Sequence, residues 1–271
     1  MSSLTIDING ICNERCTFCY QNLDGSILPE EEIFRLVDGS KAQTVQIGGG
    51  EPFLDPRIIR VIKGLRERDK RVHISTNATR IPQGLLELEE RVRENVQIQA
   101  SLHASTPELY DQVHRPVEGS GKNMFGRVLG NVQKIKPQYS TVISSTIYQA
   151  NLEDVPNLVE LASQLDLPIR FNLAFPEGAG KEVDRLTARQ VDQLRGYLLG
   201  QRILRGNKVE SPIIHTNNCG ALTLAYGIGK KGACPVDCGK KYVSPRGEQY
   251  GCEFLRGTPV QVSDLTAKEK S

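Results

Sequence analysis

The chain has 271 residues, of which 38% are hydrophobic, enough for one large domain with a small appendage. Its 34 basic and 32 acidic residues give a formal charge of +2, which gives no support to a broad nucleic-acid-binding or membrane-binding surface. No apolar run is long enough to span a bilayer, and the N-terminus lacks the features of a signal peptide. We therefore expect a cytoplasmic protein that engages neither a membrane nor nucleic acid.

Six short apolar segments rich in β-branched residues alternate with helix-like stretches along most of the chain. The predicted strands cover residues 4–9, 44–48, 72–77, 96–102, 141–148 and 169–175. Alternation of strand and helix implies right-handed βαβ units and a parallel sheet. The pattern predicts an α/β fold, a partial (β/α)6 TIM-like barrel, in which chemistry is expected at the carboxyl ends of the strands.

Capping residues mark several of the intervening helices. Asp55-Pro56 and Thr106-Pro107 each combine a capping residue with a proline suited to the first helical position. Asn151 precedes an amphipathic segment, and Thr187 opens a predicted capping box ahead of a further helix. These signals place helices between the predicted strands, as the barrel requires.

The pattern changes after the sixth predicted strand, where a turn-rich stretch follows. We expect the barrel to cover residues 1–185 and a linker helix to cover 186–205. A small cysteine-rich α+β auxiliary domain is predicted over 206–257, followed by a polar tail over 258–271.

Seven cysteines fall into two groups separated by about two hundred residues. An odd number of cysteines, in a compartment expected to be reducing, argues against a disulfide framework. The first group follows the first predicted strand, and the second lies near the C-terminus. The members are Cys12, Cys16 and Cys19 in the first group and Cys219, Cys234, Cys238 and Cys252 in the second. We interpret these as two metal sites, the first incomplete and the second complete.

The first group has the spacing C-x3-C-x2-C. Three thiolates so close together can hold three irons of a [4Fe–4S] cluster, and because such clusters normally take four cysteines, one iron is left open. An open position is typical of catalytic metal sites. The spacing alone also allows three buried cysteines without a metal, or three of four zinc ligands.

The cysteine triplet resembles the cluster loop of the radical S-adenosylmethionine (SAM) superfamily, with Phe18 in the aromatic position of that loop. The stretch Gly49-Gly50-Glu51-Pro52 follows the second strand, where that family carries a Gly-Gly-Glu-Pro motif. The resemblance implies that SAM binds the open iron. It further implies that an electron from the cluster cleaves SAM to a 5′-deoxyadenosyl radical, which removes hydrogen from a substrate.

The resemblance also implies a set of SAM contacts. The motif glycines and Glu51 are expected to hold the methionyl end of SAM. Residues at the ends of the third and fourth strands resemble the family's SAM contacts less closely. The implied cofactor-binding residues are Phe18, Gly49, Gly50, Glu51, Pro52, Thr76, Asn77, Ser101 and His103. Ala78 stands where the family often has glycine, and His103 is equally open as a ligand contact, a proton donor or a structural residue. Asn151 is favoured as a helix cap over a SAM ligand.

The second cysteine group resembles the auxiliary-cluster domains called SPASM or, when shortened, twitch. Cys238 and Cys252 flank a predicted hairpin whose turn lies at residues 244–247. The resemblance implies a second, auxiliary [4Fe–4S] cluster with four thiolate ligands, which would pass electrons rather than bind substrate. A structural zinc site is the alternative.

The sequence therefore predicts a radical SAM enzyme, an oxidoreductase or bond-forming catalyst acting on a peptide, as in ribosomal peptide maturation, or on a small metabolite. A flavodoxin-type or ferredoxin-type electron donor is expected. Because the first strand begins near residue 4, any peptide-binding domain is expected to be a separate protein. Glu177 and Arg170 are acid–base candidates by position alone, and His73, His114 and His215 are interpreted as structural or surface residues. The remaining alternatives are a nucleic-acid-modifying enzyme with structural zinc and a non-catalytic iron–sulfur protein.

Overall fold

The computed structural model describes residues 3–175, 177–210 and 240–250. The strands are β1 (Ser3–Asp7), β2 (Thr44–Gly48), β3 (Arg71–Thr76), β4 (Val96–Ser101), β5 (Ser140–Ile147), β6 (Ile169–Leu173), β7 (Val209–Glu210), β8 (Lys240–Val243) and β9 (Gln249–Tyr250). The helices are α1 (Glu30–Asp38), α2 (Ile58–Glu67), α3 (Glu90–Arg93), α4 (Pro107–His114), α5 (Met124–Ile135), α6 (Val155–Gln164) and α7 (Ala188–Arg205).

All nine strands belong to one sheet, in the order β7-β6-β5-β4-β3-β2-β1-β8-β9. Strands β1 to β6 pair in parallel with their sequence neighbours, as in the pairing of Ile6 with Ile47. Each predicted strand lies within two residues of an observed one. The predicted α/β fold is confirmed, and the sequential parallel order is that of a partial TIM-like barrel.

Burial alternates along the strands, because successive side chains point to opposite faces of a sheet. In β4, Val96, Ile98 and Ala100 are buried, while the residues between them are partly exposed. The buried faces of β1 to β4 pack with α1 and α2, and those of β4 to β6 pack with α4 to α7. The helices thus cover one face of the sheet and leave the more polar face to the interior of the barrel.

The predicted capping residues behave as expected at two of four helix starts. Thr106 accepts a hydrogen bond from the backbone N–H of Leu109, and Thr187 forms a capping box with Gln190. Helix α6 begins at Val155 with Asp154, rather than Asn151, as its N-cap. The prediction at Asp55 is wrong by two residues, because α2 begins at Ile58 rather than at Pro56. The Asp55 carboxylate instead accepts hydrogen bonds from the backbone N–H and the guanidinium of Arg57, which fixes the turn that enters the helix.

The predicted hairpin near the C-terminus is confirmed. Strands β8 and β9 are antiparallel, and Gly247 donates to the carbonyl of Ser244 at 2.9 Å across the turn. Strand β8 also pairs in parallel with β1, so the hairpin extends the sheet of the barrel. All four cysteines of the second group lie outside the described residues, and the predicted domain limits stay predictions.

Among the described residues, none of the helices combines the length and apolar character needed to cross a bilayer.

Candidate active site

The three cysteines of the first group line one cavity at the carboxyl ends of the first four strands. The last residues of β1 to β4 line it as well: Asp7, Gly48, Thr76 and Ser101. The structure therefore brings the cysteine loop and the strand ends together where a barrel of this type is expected to carry its chemistry.

The environment of the thiols favours a positively charged partner. Burial raises the pKa of Cys12 to about 12, and the charge of Glu51 adds to the effect. Burial also raises the pKa of Cys16 well above its ordinary value, with the charges of Glu14 and Cys19 acting in the same direction. A metal cation offsets these penalties, because ligation requires the thiolate and displaces its proton. The donor set therefore fits a cationic iron centre.

The two motif glycines allow one backbone segment to lie directly against another. A Cβ atom on Gly49, whose φ is +126°, would lie 2.3 Å from the carbonyl oxygen of Asn9. A Cβ atom on Gly50 would lie 2.2 Å from the carbonyl oxygen of Ile11. The backbone N–H groups of Gly50 and Glu51 donate to those same carbonyls, at 2.8 and 2.7 Å. The close approach seen here is to the segment between β1 and Cys12, and the expected contact with SAM stays a prediction.

Glu51 is buried and connects the end of β2 to the end of β3. Its Oε1 accepts from the Thr76 hydroxyl at 2.6 Å and from the Phe53 N–H at 2.8 Å, and its Oε2 accepts from the Asn77 N–H at 2.6 Å. Burial raises the pKa of this carboxyl to about 7, while these hydrogen bonds oppose the rise. A carboxylate offers about four acceptor positions, so Oε2 can accept one further donor.

Most of the remaining residues predicted to contact SAM line the cavity, and one does not. Phe18 and His103 line the cavity and pack edge to face, with ring centroids 4.6 Å apart. Ser101 lines the cavity too, and the Asn77 amide donates to Asn13 of the cysteine loop at 2.9 Å. Pro52 is buried in the turn after Glu51 and is not among the described residues that line the cavity.

His103 is held in one orientation by its neighbours. Its Nδ1 accepts from the backbone N–H of Thr146 at 2.9 Å, so its Nε2 carries the proton when the ring is neutral. Burial lowers its pKa well below the ordinary value, and His114 acts in the same direction. The ring is therefore a neutral imidazole, which argues against a role as a charged proton donor.

Asn151 does not cap α6, whose N-cap is Asp154, but it closes the capping box of the short 3-10 turn Gln149–Asp154 that precedes that helix. Its Oδ1 accepts from the Tyr148 N–H at 2.9 Å, and its amide donates to the carbonyls of His103 and Thr146.

The two acid–base candidates, Glu177 and Arg170, are not among the described residues that line the cavity.

Sequence reasoning missed a buried network beside the cysteines. Glu14, which lies between the first two cysteines, accepts from the Tyr110 hydroxyl at 2.5 Å and pairs with His114 Nδ1 at 3.0 Å. The Cys16 Sγ lies 4.0 Å from both the carboxylate and that ring nitrogen. The interpretation of His114 as an isolated structural or surface residue is therefore incomplete. A carboxylate inside the cysteine loop was the available signal.

A second missed feature is the turn at Gly178–Lys181, after β6. A Cβ atom on Gly178 would lie 2.6 Å from the Cys19 carbonyl oxygen, and one on Gly180 would lie 2.1 Å from that of Phe175. Ala179 donates its backbone N–H to the Cys19 carbonyl at 2.8 Å. This Gly-Ala-Gly segment, expected from sequence only as a turn-rich stretch, supports the cysteine loop at Cys19.

The charges that line the cavity are of one sign. Asp7, Glu14 and Glu51 contribute carboxyl groups, and no lysine or arginine is among the described lining residues. Such a cavity attracts cationic groups and disfavours a purely anionic ligand.

Comparison with known proteins gives a match to the model of the radical SAM superfamily over residues 6–162. The mycofactocin maturase MftC of Mycolicibacterium smegmatis is 27% identical over 266 residues, which cover 93% of this chain and 64% of that protein. A probable GTP 3′,8-cyclase of Thermoplasma volcanium is 25% identical over 172 residues, covering 60% of this chain and 50% of its own length. The chain thus spans less than two thirds of the length of these relatives.

Among solved structures, SuiB of Streptococcus suis bound to its precursor peptide SuiA aligns with a TM-score of 0.74. The alignment covers 95% of this chain and 61% of SuiB, at 16% identity. SuiB bound to S-adenosylmethionine aligns with the same TM-score at 15% identity. At these identities the likeness establishes the shared fold.

Proposed function

Because this chain belongs to the radical SAM superfamily and is a radical SAM enzyme, we propose that it removes a hydrogen atom from a carbon of a precursor peptide. The observation that carries the proposal is the match to maturases across 93% of the chain, together with the cysteine loop at the strand ends. The product is an oxidised or newly cross-bonded peptide, as in ribosomal peptide maturation.

The proposed [4Fe–4S] cluster is held by Cys12, Cys16 and Cys19. The thiols of Cys12 and Cys16 fit such a cationic centre, because desolvation raises the pKa of each above its ordinary value. When bound, the cluster supplies the electron that cleaves SAM, which yields the 5′-deoxyadenosyl radical that removes hydrogen from the substrate. The chain itself orients the cysteines and, among the described residues, offers three thiol ligands and no fourth.

The residues around this loop are suited to SAM. Its methionyl ammonium and its sulfonium are cationic, in keeping with a cavity lined by carboxyl groups. Glu51 is the proposed acceptor for the ammonium, since its Oε2 can take one more donor. The backbone at Gly49 and Gly50, together with Thr76, Asn77, Ser101, Phe18 and His103, completes the proposed SAM surface.

A direct test uses anaerobically reconstituted protein incubated with SAM and dithionite. We expect release of 5′-deoxyadenosine by the wild-type chain and none by the Cys12→Ala variant. Release by Cys12→Ala at the wild-type rate would contradict the proposed cluster site. Iron analysis of both proteins distinguishes a missing cluster from a cluster that is present but inactive.

A SPASM-like or twitch-like auxiliary cluster on Cys219, Cys234, Cys238 and Cys252 is the proposed electron acceptor. The hairpin at 240–250 supports it, because β8 and β9 pair antiparallel and lie next to Cys238 and Cys252 in the sequence. Two clusters predict about eight irons per chain, whereas about four irons with one zinc favour a structural zinc site. A Cys252→Ser variant is expected to retain SAM cleavage while losing peptide oxidation.

The partners proposed for this chemistry are a flavodoxin-type or ferredoxin-type electron donor and a separate peptide-binding protein. A small metabolite is the second candidate substrate, because probable GTP 3′,8-cyclases match 60–72% of this chain at 24–25% identity. Incubation with candidate peptides and with GTP, followed by mass spectrometry, separates the two. A mass loss of about two hydrogens confined to peptide supports the first proposal, and a modified nucleotide supports the second.

A further inference from the structure

The carboxylate of Glu14 occupies an unusual place for a charged group. Its side chain is 1% exposed and lies inside the loop that carries the three cysteines. A buried carboxylate is costly unless it is hydrogen-bonded, and charged residues are rarely buried without a partner. The folded chain therefore maintains this group against a substantial desolvation cost, beside the proposed cluster.

Two side chains of α4 offer hydrogens to the carboxylate. Tyr110 donates its hydroxyl to Oε1 at 2.5 Å. His114 Nε2 accepts from the backbone N–H of His103 at 3.3 Å, so in the neutral ring the proton lies on Nδ1 and points to Oε2, 3.0 Å away. Two donors facing one carboxyl group are suited to the ionised form, which only accepts.

The network is rigid. The rings of Tyr110 and His114 stack with centroids 3.8 Å apart and planes inclined by 10°, and His114 also stacks on His103. Tyr110 and His114 are fully buried. The position of the carboxylate relative to the cysteine loop is thus set by packing on α4 rather than by a flexible surface contact.

Glu14 reaches two of the three cysteines. Its Oε2 lies 4.0 Å from Cys16 Sγ, and its backbone N–H donates to Cys12 Sγ at 3.4 Å. Net charge, burial and hydrogen bonds to sulfur are the quantities by which a protein sets the potential of an iron–sulfur cluster. A fixed negative charge makes addition of an electron to the cluster less favourable.

We propose that Glu14, positioned by Tyr110 and His114, is the residue that lowers the reduction potential of the cluster held by Cys12, Cys16 and Cys19. The inference rests on the proposed cluster site. Its consequence is a more strongly reducing cluster, which suits the demanding one-electron cleavage of SAM. Glu14 acts through the cluster and is a positioning residue, not a catalytic one.

The test is a redox titration of the reconstituted protein followed by electron paramagnetic resonance. The relevant signal is the one that is absent from Cys12→Ala. Glu14→Gln keeps the size of the side chain and removes its charge, so we expect at least a tenfold shift of the equilibrium toward the reduced cluster, about 59 mV for one electron. Glu118→Gln, which removes one charge from an exposed position in the connection between α4 and α5, is expected to leave the potential unchanged.

A second variant keeps the test decisive if Glu14→Gln assembles little cluster. Tyr110→Phe retains the carboxylate but removes the hydroxyl dipole that offsets part of its negative charge, so the potential is expected to fall. A higher potential in Glu14→Gln and a lower potential in Tyr110→Phe support the proposal. General damage to the loop would be expected to shift the potential in the same direction in both variants. Equal potentials in wild type, Glu14→Gln and Tyr110→Phe at equal iron and sulfide content would overturn it. Failure of the wild-type chain to assemble a cluster would instead contradict the proposed function.

Discussion

Glu51 is the residue of the site whose protonation is expected to affect the free energy of unfolding most directly. It accepts three hydrogen bonds from the ends of β2 and β3, and burial raises its pKa from 4.5 to about 7. Because the folded pKa lies above the unfolded value, the folded chain binds more protons between the two values. The contribution of Glu51 to the free energy of unfolding is therefore present at low pH and is lost as the pH rises through about 7.

We predict that the stability advantage of the wild-type chain over Glu51→Gln decreases as the pH is raised from 5 to 8. This advantage is the free energy of unfolding of the wild-type chain minus that of the variant. The expected fall is at most roughly 3 kcal/mol, from about 1.4 kcal/mol for each unit of pKa difference. Urea denaturation of metal-free protein at several pH values measures it. The difference isolates Glu51, because the pH dependence of the other titrating groups is largely the same in both proteins and cancels. A hydrogen bond lost in the variant changes the difference by the same amount at every pH. A difference that does not vary across this range would show that Glu51 has an ordinary pKa.

Ala78 shows how one residue departs from a family pattern without changing the local fold. It adopts a left-handed φ of +53°, the conformation for which glycine is favoured. Its side chain is nevertheless fully buried in the core cluster between the barrel sheet and α4 to α7. Packing of the methyl group therefore compensates for backbone strain at the position where the family often has glycine.

At the level of secondary-structure elements, the cysteine loop is supported from three directions. The β2 exit contacts it through Gly49 and Gly50, and the turn at Gly178–Lys181 contacts it through the carbonyl of Cys19. On the third side, Arg15 and Thr17 donate their backbone N–H groups to carbonyls at the end of α4. A loop anchored to three elements presents its thiols in a fixed arrangement before any metal binds.

This support predicts that Gly50→Ala weakens iron binding. The added methyl group would overlap the Ile11 carbonyl, at 2.2 Å, and displace the segment between β1 and Cys12. Overpacking of this kind costs about 1–3 kcal/mol of stability. We expect the reconstituted variant to hold less iron per chain than wild type while its circular dichroism spectrum stays native.

Gly130→Ala is the matched control for this change. Gly130 lies within α5, and a Cβ atom there would meet nothing within 4 Å. Alanine is favoured over glycine within a helix by about 0.5–1 kcal/mol, so this variant is expected to be slightly more stable, with wild-type iron content. Equal iron content in both variants would show that the close approach at Gly50 does not position the cysteines.

Across the whole molecule, local patterns predicted much of the fold, and long-range pairings escaped prediction. Strands and helices were largely predictable because their signals are local. A β-branched run indicates a strand, and a capping residue indicates a helix start, within a few residues of the element itself. The pairing of Glu14 with His114, 100 residues apart, arises only when α4 packs on the cysteine loop. The pairing of β8 with β1 joins the two ends of the described chain, and nothing in either segment specifies its partner.

The contact between β1 and β8 carries a polar anchor as well as a ladder of backbone hydrogen bonds. Tyr242 is 1% exposed and donates its hydroxyl to Asp7 Oδ2 at 2.6 Å. Asp7 is also buried and lines the candidate active site. The hairpin that precedes Cys252 is thus connected directly to the cavity of the proposed SAM site.

We therefore predict that Tyr242→Phe destabilises the whole chain. The change leaves the Asp7 carboxyl buried with one donor fewer, which costs about 1–3 kcal/mol. Tyr250→Phe, on the paired strand β9, is the matched control, because its hydroxyl bonds to Glu248 at an exposed position and its loss is expected to cost less than about 0.5 kcal/mol. Urea denaturation of both variants measures the two changes. Equal stability of the two would mean that the hairpin is joined to the barrel by its backbone ladder alone, whereas a loss confined to Tyr242→Phe would establish the Asp7 contact as the link between the C-terminal hairpin and the active-site cavity.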